Sequence, residues 1–348
     1  LSINSLSGIS LISVLENVLS DALNYITNLA RFSQFPNFLY LCGRMSTFKI
    51  HTLGCGSAKP TLRHQPSSTV IDHRGNLFMV DCGEGAQQAF QRQRLKFSRL
   101  GHIFLTHLHG DHVLGLPGLI SSLGLGGAGG KMVIHTFADG KRILNRIFNF
   151  FSGDLPFEVE FNVIREEEAV ILDTPSLTVR TIPLDHRVPA VGFVFEEKPG
   201  LRHIKRDMID FHQVPFSMIN RIKGGEDFVK PDGTVIPNVM LTTPPTPPLS
   251  YAHISDTAYM PEIAEKIGPV NLLFHETTYL DSHSAEAAQR GHSTARQAAM
   301  VARDAGAGAL LTGHYSSRYK NEEDFRKEAL DIFPNVILNR EGLVTPLD

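Results

Sequence analysis

Residues 104–116 read FLTHLHGDHVLGL, and His107, His109, Asp111 and His112 fall within them in the frame His-x-His-x-Asp-His. No other stretch restricts the fold as much. Four imidazole and carboxylate side chains in six positions are costly to bury unless they are paired or hold a metal. The run HIFLT before them reads as a buried strand. Alternation along that strand aims His107 and His109 at one point and turns Leu108 away. Gly110 permits a sharp turn, after which Asp111 and His112 open a helix and are aimed at a second point nearby. Imidazole with carboxylate suits Zn²⁺, with Mn²⁺ or Fe²⁺ as alternatives. A hydrogen-bonded, metal-free loop does not account for four such side chains in this frame.

A site of this kind needs a substantial scaffold, and 348 residues are enough for one large or two ordinary domains. The chain is 42% hydrophobic and 20% charged, with a formal net charge of −3. Any nucleic-acid surface must therefore gather its positive charge locally. Cys42, Cys55 and Cys82 are the only cysteines and show no C-x-x-C spacing. That argues against a disulfide framework or a cysteine zinc site and fits a reducing cytosol. Residues 1–44 stand apart. Their apolar periodicity is interrupted by Glu16, Asn17, Asp21 and Asn24, which excludes a membrane span, and Arg31 is the first basic residue, which argues against a signal peptide. Met45 opens a stretch that reads as a natural start. The expectation is a non-core extension over 1–44 and a working domain over 45–348.

From Met45 onward, short β-type runs alternate with helices. TFKIHTLG, SSTVID, NLFMVD, HIFLT, KMVIHTF, LTVRTIPL, VGFVFE, YAHISD, NLLFHET and ALLTGHY read as strands. GAQQAFQRQRL, HVLGLPGLISSLGL, TARQAAMVARDAGA and the region of EEDFRKEALDIF read as helices. No internal repeat is evident. Helices outside strands, with polar clusters at strand ends, predict an α/β protein in which two sheets are sandwiched between helices. GCGSAKP lacks the third glycine of a dinucleotide fingerprint and reads as a turn.

Three further ligand-type residues stand at strand ends: His186 in IPLDHRVPAVGF, Asp256 in YAHISDT and His314 in LLTGHYSSRY. Singly, each has a bland reading, as a satisfied core histidine or a helix cap. Jointly and in this order, with VDCGEGAQ, GLPGLISSLG and HETTY, they resemble the metallo-β-lactamase superfamily and, within it, the ribonuclease Z family. The resemblance runs from Met45 to the C-terminus. It implies an αββα sandwich and two zinc ions. One would be held by His107, His109, His186 and Asp256, the other by Asp111, His112, His314 and a bridging Asp256. Asp81 is similar to the family's carboxylate that orients a ligand. The resemblance also implies Asp111 as proton acceptor and His275, with Glu276, as the pair handling the leaving-group proton. Pro60, Arg63, His64, His292, Ser317 and Arg318 match substrate-side positions, with His292 read equally well as a partner of a helix start.

The implied activity is endonucleolytic removal of the 3′ trailer from precursor tRNA, leaving a 3′-hydroxyl on the tRNA and a 5′-phosphate on the trailer. A homodimer in the cytoplasm, with no membrane association, follows from the same resemblance. A small-molecule phosphodiesterase of the same fold and a non-catalytic, metal-containing RNA-binding protein are the alternatives. The chain departs from the family at PTLRHQ, where His64 stands in place of a common Asn, and at Thr277, where Ala is commoner. Residues 196–243 have no place in the metal pattern and form a connection longer than an ordinary loop. Lys198, Arg202, Lys205, Arg206, Arg221 and Lys223 face only Asp207 and Asp210 between positions 198 and 223. That local positive charge is expected to grip a tRNA backbone. It resembles the family's protruding arm, without the usual Gly-Pro signature at its tip.

Overall fold

The computed structural model describes residues 47–126, 130–151 and 155–347. The expectation for residues 1–44 lies outside the described residues. Residues Thr47–Asp348 form one compact unit. In it, β1 (Phe48–Gly54), β2 (Ser68–His73), β3 (Asn76–Val80), β4 (Leu100–Phe104), β5 (Lys131–Thr136), β6 (Glu158–Val163) and β18 (Val344–Pro346) form a seven-stranded sheet of order β18-β1-β2-β3-β4-β5-β6. A second seven-stranded sheet takes β7 (Val170–Asp173), β8 (Leu177–Pro183), β9 (Val191–Glu197), β14 (Ser250–Ile254), β15 (Leu272–Glu276), β16 (Ala309–Gly313) and β17 (Val336–Ile337). Its order is β17-β16-β15-β14-β9-β8-β7.

Apolar alternation explains why the two sheets face each other. Phe48, Ile50, Ile71, Phe78, Val80 and Phe104 of the first sheet pack on Val179, Phe193, Phe195, Tyr251, Phe274 and Leu311 of the second, all buried. The opposite face of each sheet has its own apolar layer under helices. Leu116, Leu119, Ile120 and Leu123 of the helix Leu116–Leu125 cover the first sheet. The alanine-rich helix Ala295–Ala305 covers the second, and a Thr294–Gln297 capping box fixes its start. The result is the αββα sandwich expected from the sequence.

Two details depart from that expectation. The helix read over HVLGLPGLISSLGL is two helices, Gly110–Val113 and Leu116–Leu125. They part at Gly115, whose amide donates to the Cys82 carbonyl at 2.9 Å, and a β-carbon there would collide with the Gly83 carbonyl. The stretch between KMVIHTF and LTVRTIPL, unassigned from sequence, contains the helix Ala138–Phe151 and strands β6 and β7.

Strands β3 to β6 run parallel, as do β14 to β17, so their carboxyl ends gather on one edge of each sheet. Loops leaving such ends carry functional side chains. The insertion between β9 and β14 folds as a small unit with a buried cluster of Ile209, Val214, Ile222, Phe228, Ile236 and Leu241. Two short antiparallel ladders tie it, β10 (His203–Ile204) with β13 (Thr242–Thr243) and β11 (Phe228–Val229) with β12 (Val235–Ile236). It is a folded insertion, more than a charged hairpin.

Candidate metal centre

His107 and His109 leave the carboxyl end of β4, while Asp111 and His112 lie in the short helix Gly110–Val113. His186 follows β8, Asp256 follows β14, and His314 follows β16 with a left-handed φ of 61°. Two clusters result, His107–His109–His186–Asp256 and Asp111–His112–His314. Within each, one ligand atom per residue lies within 4.8 Å of the others. Asp256 joins them. Its Oδ2 is 3.7 Å from His107 Nε2, and its Oδ1 is 3.5 Å from His112 Nε2 and 3.3 Å from His314 Nε2.

Whether these residues fit a metal pair turns on which ring nitrogens carry protons, and the outer hydrogen bonds decide that. His112 donates Nδ1–H to Asp81 at 2.7 Å. The Thr106 hydroxyl donates to the same Asp81, so at 3.0 Å it accepts from His107 Nδ1–H. His186 donates Nδ1–H to the Gly291 carbonyl at 2.7 Å. The Thr278 hydroxyl donates to Glu276 and therefore accepts from His314 Nδ1–H at 2.8 Å. Each of these four rings thus turns an Nε2 lone pair inward. His112 Nε2 and His314 Nε2 are buried without a hydrogen bond. His107 Nε2 and His186 Nε2 instead converge on His109 Nδ1, at 3.0 and 3.3 Å. Lone pairs crowded together and flanked by two carboxylates form an arrangement that a divalent cation completes.

The electrostatics agree. Burial would raise the Asp111 carboxyl, but the His112 and His314 imidazoles, each with Nε2 3.5 Å from Asp111 Oδ2, hold it far below the usual carboxylate range. Burial would lower His112, yet Asp81 and Asp256 push it well above its ordinary value. The carboxylates demand positive charge at the centre. Burial, reinforced by the neighbouring histidines, lowers His107, and burial also lowers His109 and His186 despite the pull of Asp256.

A pocket opens over the clusters, lined by Ser57, Ala58, His109, Gly110, Asp111, Arg187, Asp256, His292 and His314. Its wall is the turn read from GCGSAKP. Ala58, at a left-handed φ of 66°, donates its amide to Asp111 Oδ2 at 2.6 Å. Arg187 and Ala58 were missed in the sequence, and the signal for Arg187 was a cation directly after a candidate ligand histidine, His186.

The expected His275–Glu276 pair does not form as a side-chain pair. His275 is fully buried, its Nδ1 bonds the Glu276 carbonyl at 2.8 Å, and it lies outside the pocket lining. Alternation along β15 is the reason. Leu272 and Phe274 face the other sheet, so Leu273 and His275 face the helices. Glu276 instead receives His292 Nδ1 at 2.9 Å and the amides of Thr257, Thr278 and Ser293. Burial would lower His292, but Glu276 and then Asp256 raise it to about 9. The dyad at the pocket is His292–Glu276.

The remaining substrate-side expectations fall outside the pocket. Pro60 and Ser317 are exposed, and Arg63 bonds the carbonyls of Tyr319 and Lys320 and the Glu322 carboxylate. His64 sits between Glu322 and Glu341, and Arg318 pairs with Glu286. In the insertion, Arg206 pairs with Asp210 and Arg221 with Glu226. Lys198 pairs with Asp173, Arg202 bonds Thr242, Lys205 bonds the Val239 carbonyl, and Lys223 is half-buried.

Comparison with known proteins follows the same lines. The family described as Anti-Pycsar protein Apyc1 matches residues 48–131. The chain is 49% identical to Ribonuclease Z of Bacteroides fragilis over 304 residues, covering 87% of this chain and all of that one. It is 46% identical to Ribonuclease Z of Porphyromonas gingivalis over 300 residues, covering 86% and 99%. Among solved structures it resembles the short form of human tRNase Z, with a TM-score of 0.63 at 23% identity over 86% of this chain and 99% of that one. It also resembles the metallo-beta-lactamase fold protein YhfI of Bacillus subtilis, with a TM-score of 0.60 at 16% identity over 86% and 98%. At these identities the two structures speak to the fold.

Proposed function

The chain belongs to the ribonuclease Z family, and on that premise we propose that it removes the 3′ trailer of precursor tRNA, leaving a 3′-hydroxyl on the tRNA and a 5′-phosphate on the trailer. It is a hydrolytic endoribonuclease acting on a phosphodiester bond. The observation that carries the reading is the convergence of four inward Nε2 lone pairs on Asp256 and Asp111, with His292–Glu276 on the same pocket.

His107, His109, His186 and Asp256 would hold one zinc ion, and Asp111, His112, His314 and the shared Asp256 the other. When bound, such a pair supplies positive charge to an anionic phosphate and lowers the pKa of water at the site. The chain's own residues do the rest. Asp81 and the Thr106 and Thr278 hydroxyls lock the imidazoles in their metal-facing tautomers. Asp111, steadied by the Ala58 amide, accepts the proton of the attacking water. Arg187 faces the scissile phosphate. His292, with Glu276 holding its Nδ1, gives a proton to the departing 3′ oxygen, which is a poor leaving group without one. The insertion over 196–243 grips the body of the tRNA. A small-molecule phosphodiesterase would need the same cradle but not this insertion.

Residues 45–348 make up the nuclease, which works as a homodimer in the cytoplasm, and residues 1–44 are dispensable to it. No helix among the described residues is long and apolar enough to cross a membrane. The direct test is to incubate zinc-loaded protein with a trailer-bearing tRNA and map the new ends. A cut within the tRNA body, or none, overturns the reading. A chain beginning at Met45 should retain both cleavage and melting temperature, and a marked fall in either would assign 1–44 a place in the working fold.

A further inference from the structure

We propose that Cys55, His64 and Glu341 form an additional zinc-type site, separate from the catalytic cradle, at the base of the loop that walls the pocket. Cys55 directly follows β1, His64 lies across the 57–64 loop, and Glu341 lies in the turn before β18. Cys55 Sγ is 3.4 Å from His64 Nδ1 and 3.6 Å from Glu341 Oε1, and His64 Nδ1 is 3.3 Å from the same Oε1. These separations are the edges of a tetrahedron. A zinc ion with sulfur at about 2.3 Å and nitrogen or oxygen at about 2.0–2.2 Å sets its donor atoms roughly 3.4–3.6 Å apart.

Hydrogen bonds alone explain the cluster less well. His64 Nδ1 also lies 3.2 Å from Glu341 Oε2 and the Gln65 amide donates to Glu341 Oε1 at 2.9 Å, so the carboxylate is already engaged, and the thiol, with one proton to give, can satisfy only one of its two contacts. The far side of the imidazole is arranged as a metal-bound histidine requires. His64 Nε2 lies 2.9 Å from Glu322 Oε1, and Arg63 in turn holds that carboxylate at 2.6 Å. A carboxylate on the outer ring nitrogen fixes the tautomer that offers Nδ1 inward. Access is open from one side. Cys55 is 2% exposed, but the side chains of His64 and Glu341 are 12% and 26% exposed, and solvent would supply the fourth ligand from that side.

Uptake exchanges a proton for a metal–sulfur bond. Burial and the neighbouring Glu341 raise the Cys55 thiol well above its ordinary value, so the metal-free cysteine is protonated and its proton goes to solvent as the ion binds. The site would staple the loop. The Cys55 carbonyl accepts the Tyr315 amide, the Ser57 amide donates to the Tyr315 carbonyl, and three residues on from Cys55 the Ala58 amide reaches Asp111.

Cobalt(II) tests this on the full chain, because the catalytic cradle contains no cysteine and cannot give thiolate-to-cobalt absorption. Chelator-stripped protein is titrated with Co²⁺ alone. The expected result is three equivalents bound, with near-ultraviolet thiolate absorption that Cys55→Ser removes and Cys82→Ser retains. Saturation at two equivalents without that absorption overturns the proposal, as does absorption that survives Cys55→Ser or disappears in Cys82→Ser. Should Cys55→Ser not fold, alkylation of the parent protein decides. Zn²⁺ should protect Cys55 from a thiol reagent by tenfold or more, and equal labelling with and without Zn²⁺ overturns the site. None of these readouts depends on ribonuclease activity, so a failure here leaves the proposed function standing.

Discussion

The cradle and the insertion use charged side chains in opposite ways. In the cradle, Asp81, Asp256, His107 and His112 are buried, and each outer nitrogen is committed to a named partner. Every inner lone pair is thereby forced toward one centre. In the insertion, Arg206 and Arg221 are exposed and spend their charge on neighbouring carboxylates. Such surface pairs contribute about 0–1 kcal/mol. Burial turns a list of residue types into a geometry, whereas exposure leaves only a sum of charges.

The sharpest way to break this contrast is at Asp111. Asp111→Ala should cut cleavage by several orders of magnitude with the fold retained, since it removes the proposed ligand and the proposed proton acceptor together. A rate within about tenfold of the parent, measured at matched circular dichroism, would show that the cradle is not the reaction centre. Next comes the choice between two histidines. His292→Ala should slow precursor cleavage by roughly 10²–10⁴-fold while metal content holds, and should affect an activated aryl phosphodiester much less. His275→Ala should instead act on stability, costing about 2–4 kcal/mol in denaturant melts for a fully buried ring, with no such split between substrates. The reverse pattern would return the proton-donating role to His275.

The support around the ligands gives an intermediate effect. Asp81→Asn keeps the shape but loses the charge that favours His112, so zinc affinity should fall about 10–100-fold in chelator competition. Unchanged affinity would mean that Thr106 alone orients the rings. The smallest effect is expected in the insertion. Replacing 200–246 with a short Gly-Ser link should raise KM for precursor tRNA about tenfold or more and flatten its salt dependence, with small-substrate hydrolysis intact. Within it, Arg206→Ala and Arg221→Ala should each change KM less than twofold or threefold, because both charges are already partnered. A larger change from either would show that the pairs open on binding.

Much of the cradle was legible because its parts are local. Strand alternation at 107 and 109, a glycine turn at 110 and three strand ends in order pointed to the residues that form the two clusters, within each of which the ligand atoms lie within 4.8 Å of one another. The sandwich was legible for the same reason, through apolar runs ended by Gly or Asp. The helix Ala138–Phe151 and strands β6 and β7 were passed over. The positions of β6 are all exposed or half-buried and no continuous apolar run marks it, while the run AVIL that leads into β7 is only four residues long.

What the sequence by itself determined was donor chemistry and sheet period, since both are properties of neighbours along the chain. Which histidine meets Glu276 was a tertiary matter. His275 is adjacent in sequence, but the pleat turns it to the helix side. His292 lies 16 residues away and is brought to 2.9 Å by the loop that enters the helix Ala295–Ala305. Arg63, His64 and Arg318, read as substrate-side positions, are each paired with carboxylates from distant segments, Glu322, Glu341 and Glu286. A side chain's charge is written in the sequence, but its partner is chosen only where packing removes water and leaves one geometry that satisfies both groups.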